Sequence, residues 1–138
     1  MTAEQQRIAI GLACGYQWRT VVRVILKDHP LIDIPEDKRV RYLAPPWEVY
    51  ETMVTEPAPE SIPIRDGAHL GVPDYLNDLN AIHEAEQVLT RKQWERYGTL
   101  LSYGGANEFA HDLIRTVLKK DVAQRAEAFL RALNLWTE

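Results

Sequence analysis

A chain of 138 residues with 46% hydrophobic and 26% charged side chains lies in the globular range, and it is long enough for one domain with a buried core. The net charge of -4, with acids and bases interspersed along both halves, excludes the global basic footprint of a duplex-DNA or membrane-surface binder. Cys14 is the only cysteine, which excludes an internal disulfide and a cysteine-rich zinc cage.

No run approaches the roughly 18 apolar residues that span a bilayer. The opening MTAEQQRIAIGLACGY lacks the basic and apolar blocks of a secretory signal. A soluble cytoplasmic protein is the expectation.

In chain order, residues 2–13 read as a helix capped by Thr2 and stopped by Gly15. WRTVVRVILK, residues 18–27, is rich in β-branched residues and reads as a strand ended by His29-Pro30. Strict alternation places Arg19, Val21, Arg23, Ile25 and Lys27 on one of its faces. Residues 28–72 hold seven of the eight prolines and read as an irregular connection. It contains two short strand candidates, RVRYL at 39–43 and SIPIR at 61–65, with Trp47 and Tyr50 as anchors. The rest is mainly helical. One helix is predicted from Pro73-Asp74 to about Leu89, and a second, capped by Thr90, to about Tyr103. Residues 106–120 fit either a helix or a strand. A last helix, 122–133, opens on Asp121 with Gln124 in a capping-box arrangement and carries Val122, Ala126, Phe129 and Leu133 as its apolar stripe.

The stretch PDYLNDLNAIHEAE, residues 73–86, concentrates polar chemistry. On a helical wheel Tyr75, Leu76, Leu79, Ile82 and Leu89 share an apolar sector, while Asp74, Asn77, Ala81 and Glu84 lie opposite. Glu86 projects into the apolar sector and His83 lies at its edge, three residues away and so a surface neighbour. Facing a pocket, the two could act as ligand contacts, an acid/base pair or metal ligands. Inside a core, Glu86 needs a cation, with Arg125 or Arg96 available, and buried charge is normally paired in this way. Pairing is the favoured reading. HEAEQ departs from the H-E-x-x-H zinc pattern because Gln87 stands at the fifth place, so no metal or other cofactor is expected.

No G-x-S-x-G elbow, Walker loop or kinase signature is present, which favours a non-enzymatic protein. Cys14 reads as a small buried residue at a helix C-terminus. Arg19, Arg23 and Lys27 on one strand, and Arg39 and Arg41 on a neighbour, could hold an anion beside Trp18, Tyr42 and Trp47. A solvated sheet face with protective charges is the plainer alternative. The candidate ligand-binding residues are therefore Arg23, Arg41, Trp47, His83, Glu86 and Arg125, with no catalytic residue assigned.

PDYLNDLNAIHEAEQVL followed by a Trp-bearing helix, the C-terminal AQRAEAFLRALNLW and the N-terminal IAIGLACGY together resemble the phage ABA sandwich domain family. That family comprises small proteins of bacteriophages and prophages. The similarity covers about residues 5–18, 73–103 and 121–136. Asn134 stands where a glycine would follow the last helix, a position Asn also tolerates. The pattern of elements itself suggests a layered α/β single domain, a small sheet of three or four short strands with about four helices packed on it, and the resemblance implies a three-layer α-β-α sandwich. It carries no established activity. The expectation is a phage or prophage binding protein in the bacterial cytoplasm, with self-association into a homo-oligomer. The specific expectation is a counter-defence protein that sequesters a nucleotide-type signal. A module binding a host or phage protein and a metal-dependent hydrolase built on His83 and Glu86 are the alternatives.

Overall fold

The computed structural model describes residues 1–26, 29–48, 51–101 and 121–138. The readings made for Lys27, Tyr50 and 106–120 lie outside them. The fold is mixed α/β, with four described helices and a four-stranded antiparallel sheet. Its contacts define two compact units, Met1–Cys14 with Pro73–Glu138, and Gly15–Val72.

The first unit is helical. Helix α1 (Ala3–Ala13) begins with a complete capping box: Gln5 N–H donates to the Thr2 hydroxyl and Thr2 N–H to the Gln5 side chain. Gly15 follows it with φ of 96°, in the region open mainly to glycine. Helix α2 spans Leu79–Glu86, six residues shorter at its start than the proline suggested. Asp74 accepts from the Asn77 side chain, and Asp78 accepts from the N–H groups of Asn80 and Ala81. Those aspartates favour a turn and then a cap over helix. The buried face also differs, because Tyr75 and Leu76, which had helped to define the apolar sector, lie outside the helix: Ala81, Ile82, Ala85 and Glu86 are buried, whereas Leu79 is 52% exposed. Ala81 was expected in solvent and Leu79 in the core.

Thr90 and Gln93 form a second capping box that opens α3 (Arg91–Leu101). Helix α4 (Val122–Ala132) is capped by Asp121, which accepts from Gln124 N–H, and it packs against α1, α2 and α3. It buries Ala126, Phe129 and Leu130 almost completely. Asn134 ends it with φ of 58°. The N–H of Leu135 donates to the Leu130 carbonyl and that of Asn134 to the Arg131 carbonyl, the paired bonds of a Schellman motif.

The second unit is the sheet. Strand β1 (Gln17–Leu26) pairs antiparallel with β2 (His29–Asp33), β3 (Arg41–Ala44) and β4 (Met53–Pro57). Two of these strands were not predicted. HPLID pairs despite its proline, and MVTEP lies in the stretch that the prolines had marked as irregular. SIPIR, by contrast, is not a strand. It makes one parallel bridge, Ile64 to Arg41, along β3.

A bulge corrects the predicted faces of β1. The register on β4 passes from Val21–Thr55 to Arg23–Val54, so two positions of β1 advance against one of β4. Thr55 and Val54 are neighbours and face opposite ways. Arg23 therefore lies on the face opposite Arg19 and Val21, where it pairs with Asp33 at 2.9 Å. Arg39 and Arg41 separate as well. Arg39 follows a 3-10 turn, Glu36–Lys38, and donates to the Ile34 carbonyl, while the Arg41 guanidinium lies 4.7 Å from the centre of the Trp18 ring.

Phe129→Ala is expected to cost about 3–5 kcal/mol in urea unfolding, because the ring is fully buried at the centre of α4. Asn134→Gly should leave stability unchanged or slightly raised, whereas Asn134→Val should lower it, since a β-branched residue resists positive φ.

Candidate functional site

Glu86 sits on the last turn of α2, pointing into the helical unit, and is 3% exposed. Arg125, on the first turns of α4, is 2% exposed. Its Nε donates to Glu86 Oε1 at 2.7 Å and its Nη2 to Oε2 at 2.6 Å, a bidentate fork. The Tyr97 hydroxyl on α3 donates to Oε1 as well. Nδ1 of the exposed His83 approaches Oε2 at 3.6 Å. Both carboxylate oxygens are thus engaged, in the pairing anticipated for a buried acid.

Three helices meet at this carboxylate. Burial by itself would lower the proton affinity of Arg125, but Glu86 and Tyr97, through hydrogen bonds and charge, outweigh it and leave that affinity raised. Burial first, then the hydrogen bond to Glu86 and its charge, push the Tyr97 phenol far above its ordinary range. Cys14, at the end of α1, has a thiol pushed up by burial, which disfavours the nucleophilic thiolate.

The remaining sequence candidates do not gather around one point. Arg23 is paired with Asp33, Arg41 lies over Trp18, and Trp47 is 73% exposed with its ring edge-on to Tyr16 at 5.8 Å. Trp47 is therefore no buried anchor. Among the described residues no group of three or more His, Cys, Asp or Glu is placed to hold a metal ion.

The sheet unit carries a different site. Three adjoining hollows, of about 350, 260 and 240 Å³, are each lined by both Tyr42 and Met53. The side chains come from the face of β1 that holds Arg19 and Val21, and from β3, β4 and the loop that carries Arg65. Tyr42 pairs across the sheet with Arg19. Arg19 is tied down, its Nε donating to the Thr55 hydroxyl at 2.9 Å and its Nη2 to the Thr55 carbonyl at 3.0 Å. Lys38, Arg39 and Arg65 line one hollow, Glu48 and Asp66 another, and Arg65 lines both. Four cations thus face two carboxylates along the groove.

Burial pushes the Tyr42 phenol up, Glu48 adds to the rise, and Arg19 and Arg65 oppose it. Burial also raises the Glu48 carboxyl. A groove with an aromatic floor, a thioether and a cationic end can hold a planar ring and an anionic group together.

Sequence reasoning named Tyr42 as an aromatic beside the basic strands but missed Met53, Glu48 and Arg65. Alternation along β1 did put Arg19 beside Val21, but the other residues lie in segments without a periodic signal. Comparison with known families, with curated proteins and with solved structures finds no match. No helix among the described residues is long and apolar enough to cross a membrane.

Glu86→Gln should destabilise the protein by about 3–5 kcal/mol in urea unfolding, because Arg125 would be left as a buried, uncompensated charge. A pH effect follows from Tyr97. Its phenol is raised in the folded state, so above the ordinary phenol range near pH 10 the unfolded chain gives up a proton that the folded one keeps. Stability should be unaffected by this group below that pH and then fall by about 1.4 kcal/mol per pH unit. Tyr97→Phe should remove this alkaline loss, as measured by urea unfolding at pH 8 and pH 11.

Proposed function

We propose that this chain is a small non-enzymatic binding protein of phage or prophage type, which holds an anionic, nucleotide-type ligand in the groove floored by Tyr42 and Met53. On this reading it acts as a counter-defence protein in the bacterial cytoplasm, withdrawing a signalling ligand from the host. The resemblance to phage ABA sandwich proteins supports the origin. The convergence of three hollows on Tyr42 and Met53, with Arg65 shared by two of them, supports the ligand class. Arg23, Arg41 and Arg125 give way to Arg65, Lys38 and Arg19 as the basic contacts, because only the latter group lines the groove.

A hydrolase built on His83 and Glu86 is disfavoured because Glu86 is 3% exposed and both its oxygens already accept hydrogen bonds from Arg125 or Tyr97. A second binding mode has one specific support. Trp47 and Leu70 of the sheet unit are 73% and 74% exposed, which suits docking of a host or phage protein. It predicts capture of a protein partner with no response to small molecules.

Thermal shift against cyclic nucleotides and ADP-ribose derivatives at millimolar concentration separates the two. A ligand at about a hundred times its Kd adds about 2.7 kcal/mol, a rise of several degrees. Arg65→Ala should abolish that rise and leave the unliganded melting temperature nearly unchanged, since Arg65 is exposed. No rise with any of these ligands would contradict the nucleotide reading.

A further inference from the structure

The two hollows that share Arg65 differ in charge. The smaller, about 240 Å³, is lined by Lys38, Arg39 and Arg65 and by no acidic residue. The larger, about 350 Å³, places Glu48 and Asp66 beside Tyr42 and Met53. Glu48 also lines the third hollow, so it borders two hollows that Tyr42 lines too, and its charge acts on the Tyr42 phenol. Arg19, at the far end, is already committed to Thr55. A phosphate is therefore drawn to the Lys38–Arg65 end, and it repels Glu48 if placed at the other.

An ionised carboxylate only accepts hydrogen bonds, so a ring lying on Tyr42 is welcomed by Glu48 only where it presents an N–H. Discrimination follows because a ring without the donor covers the half-buried acid and gives it no partner. We infer that Glu48 determines base specificity: the groove takes a nucleotide whose base carries an amino group, with the base on Tyr42 against Glu48 and the phosphate beside Arg65 and Lys38. This rests on the ligand-binding reading above and adds to it the class of base.

Isothermal titration with adenosine 5′-monophosphate and with purine riboside 5′-monophosphate, which differs only in lacking the amino group, tests the assignment. The wild type should prefer the amino-bearing nucleotide by about tenfold. Glu48→Leu should erase that preference while phosphate-dependent binding of both nucleotides remains. Glu48→Gln, which keeps a carbonyl acceptor, should retain part of it. Melting curves establish that each variant is folded, and if Glu48→Leu is not, the glutamine variant decides by whether the preference falls. Equal binding of the two nucleotides by the wild type, or an undiminished preference in a folded Glu48 variant, overturns the role of Glu48 alone. Absence of binding by either nucleotide overturns the groove as a nucleotide site, and the base specificity with it.

Discussion

A carboxylate taken out of water at the end of a helix must be met by a cation of matching shape, and the helical unit is arranged around that requirement. Glu86 on α2 and Arg125 on α4 form a two-bond fork in which neither side chain is more than 3% exposed, with Tyr97 of α3 as a third member. Desolvating two charges costs several kcal/mol per ion, and the mutual attraction offsets that cost only when geometry is good and the remaining lone pairs are filled. The fork supplies the geometry, and Tyr97 adds a third hydrogen bond to the carboxylate. The fork fixes the rotation of α4 about its axis: with Arg125 directed at Glu86, Phe129 falls four residues further along the same face, into the core. The Trp94 and Tyr97 rings, 5.4 Å apart, set the position of the phenol on α3.

The sheet unit depends on a different constraint, the extra residue in β1. Without a bulge, Arg19, Val21, Arg23 and Ile25 would form one stripe, half basic and half apolar. With it, Arg23 turns to the opposite face and pairs with Asp33, and Val24 joins Val21 beside Met53. The groove over Tyr42 is the consequence: an apolar floor from the sheet, with charges brought in from Lys38, Glu48 and Arg65, which lie outside the strands. Rigid strands thus supply the surface, and connecting segments supply the polar chemistry. The two units use charge in opposite ways. One buries an ion pair to hold helices together, and the other leaves cations and acids at the rim of an open groove.

Much of this was legible residue by residue. Thr2, Thr90 and Asp121 announced helix starts because a cap is a local interaction, and Asn134 announced a left-handed stop for the same reason. Glu86 was conspicuous because it broke an apolar pattern, and Arg125 was among its foreseeable partners. The start of α2 was not legible, since proline at 73 suits a first helical turn and the competing turns made by Asp74 and Asp78 depend on side-chain bonds. Strands β2 and β4 escaped because their pairing comes from β1 rather than from their own short sequences. The bulge could not be read at all: alternation assumes an unbroken ladder, and a single slip reassigns every later side chain to the other face. The groove inherits that blindness, since Tyr42, Met53 and Arg65 meet only through non-local pairing.

A double-mutant cycle on Glu86 and Arg125 tests most directly that the buried carboxylate is a structural partner and not part of a reactive site. If the fork is as described, Glu86→Leu and Arg125→Met will each be strongly destabilising in urea unfolding, and the double variant will be more stable than either single one, because it leaves no orphaned charge. Additive costs, or single substitutions that change stability by less than about 0.5 kcal/mol, would contradict the pairing and return Glu86 to consideration as a functional acid.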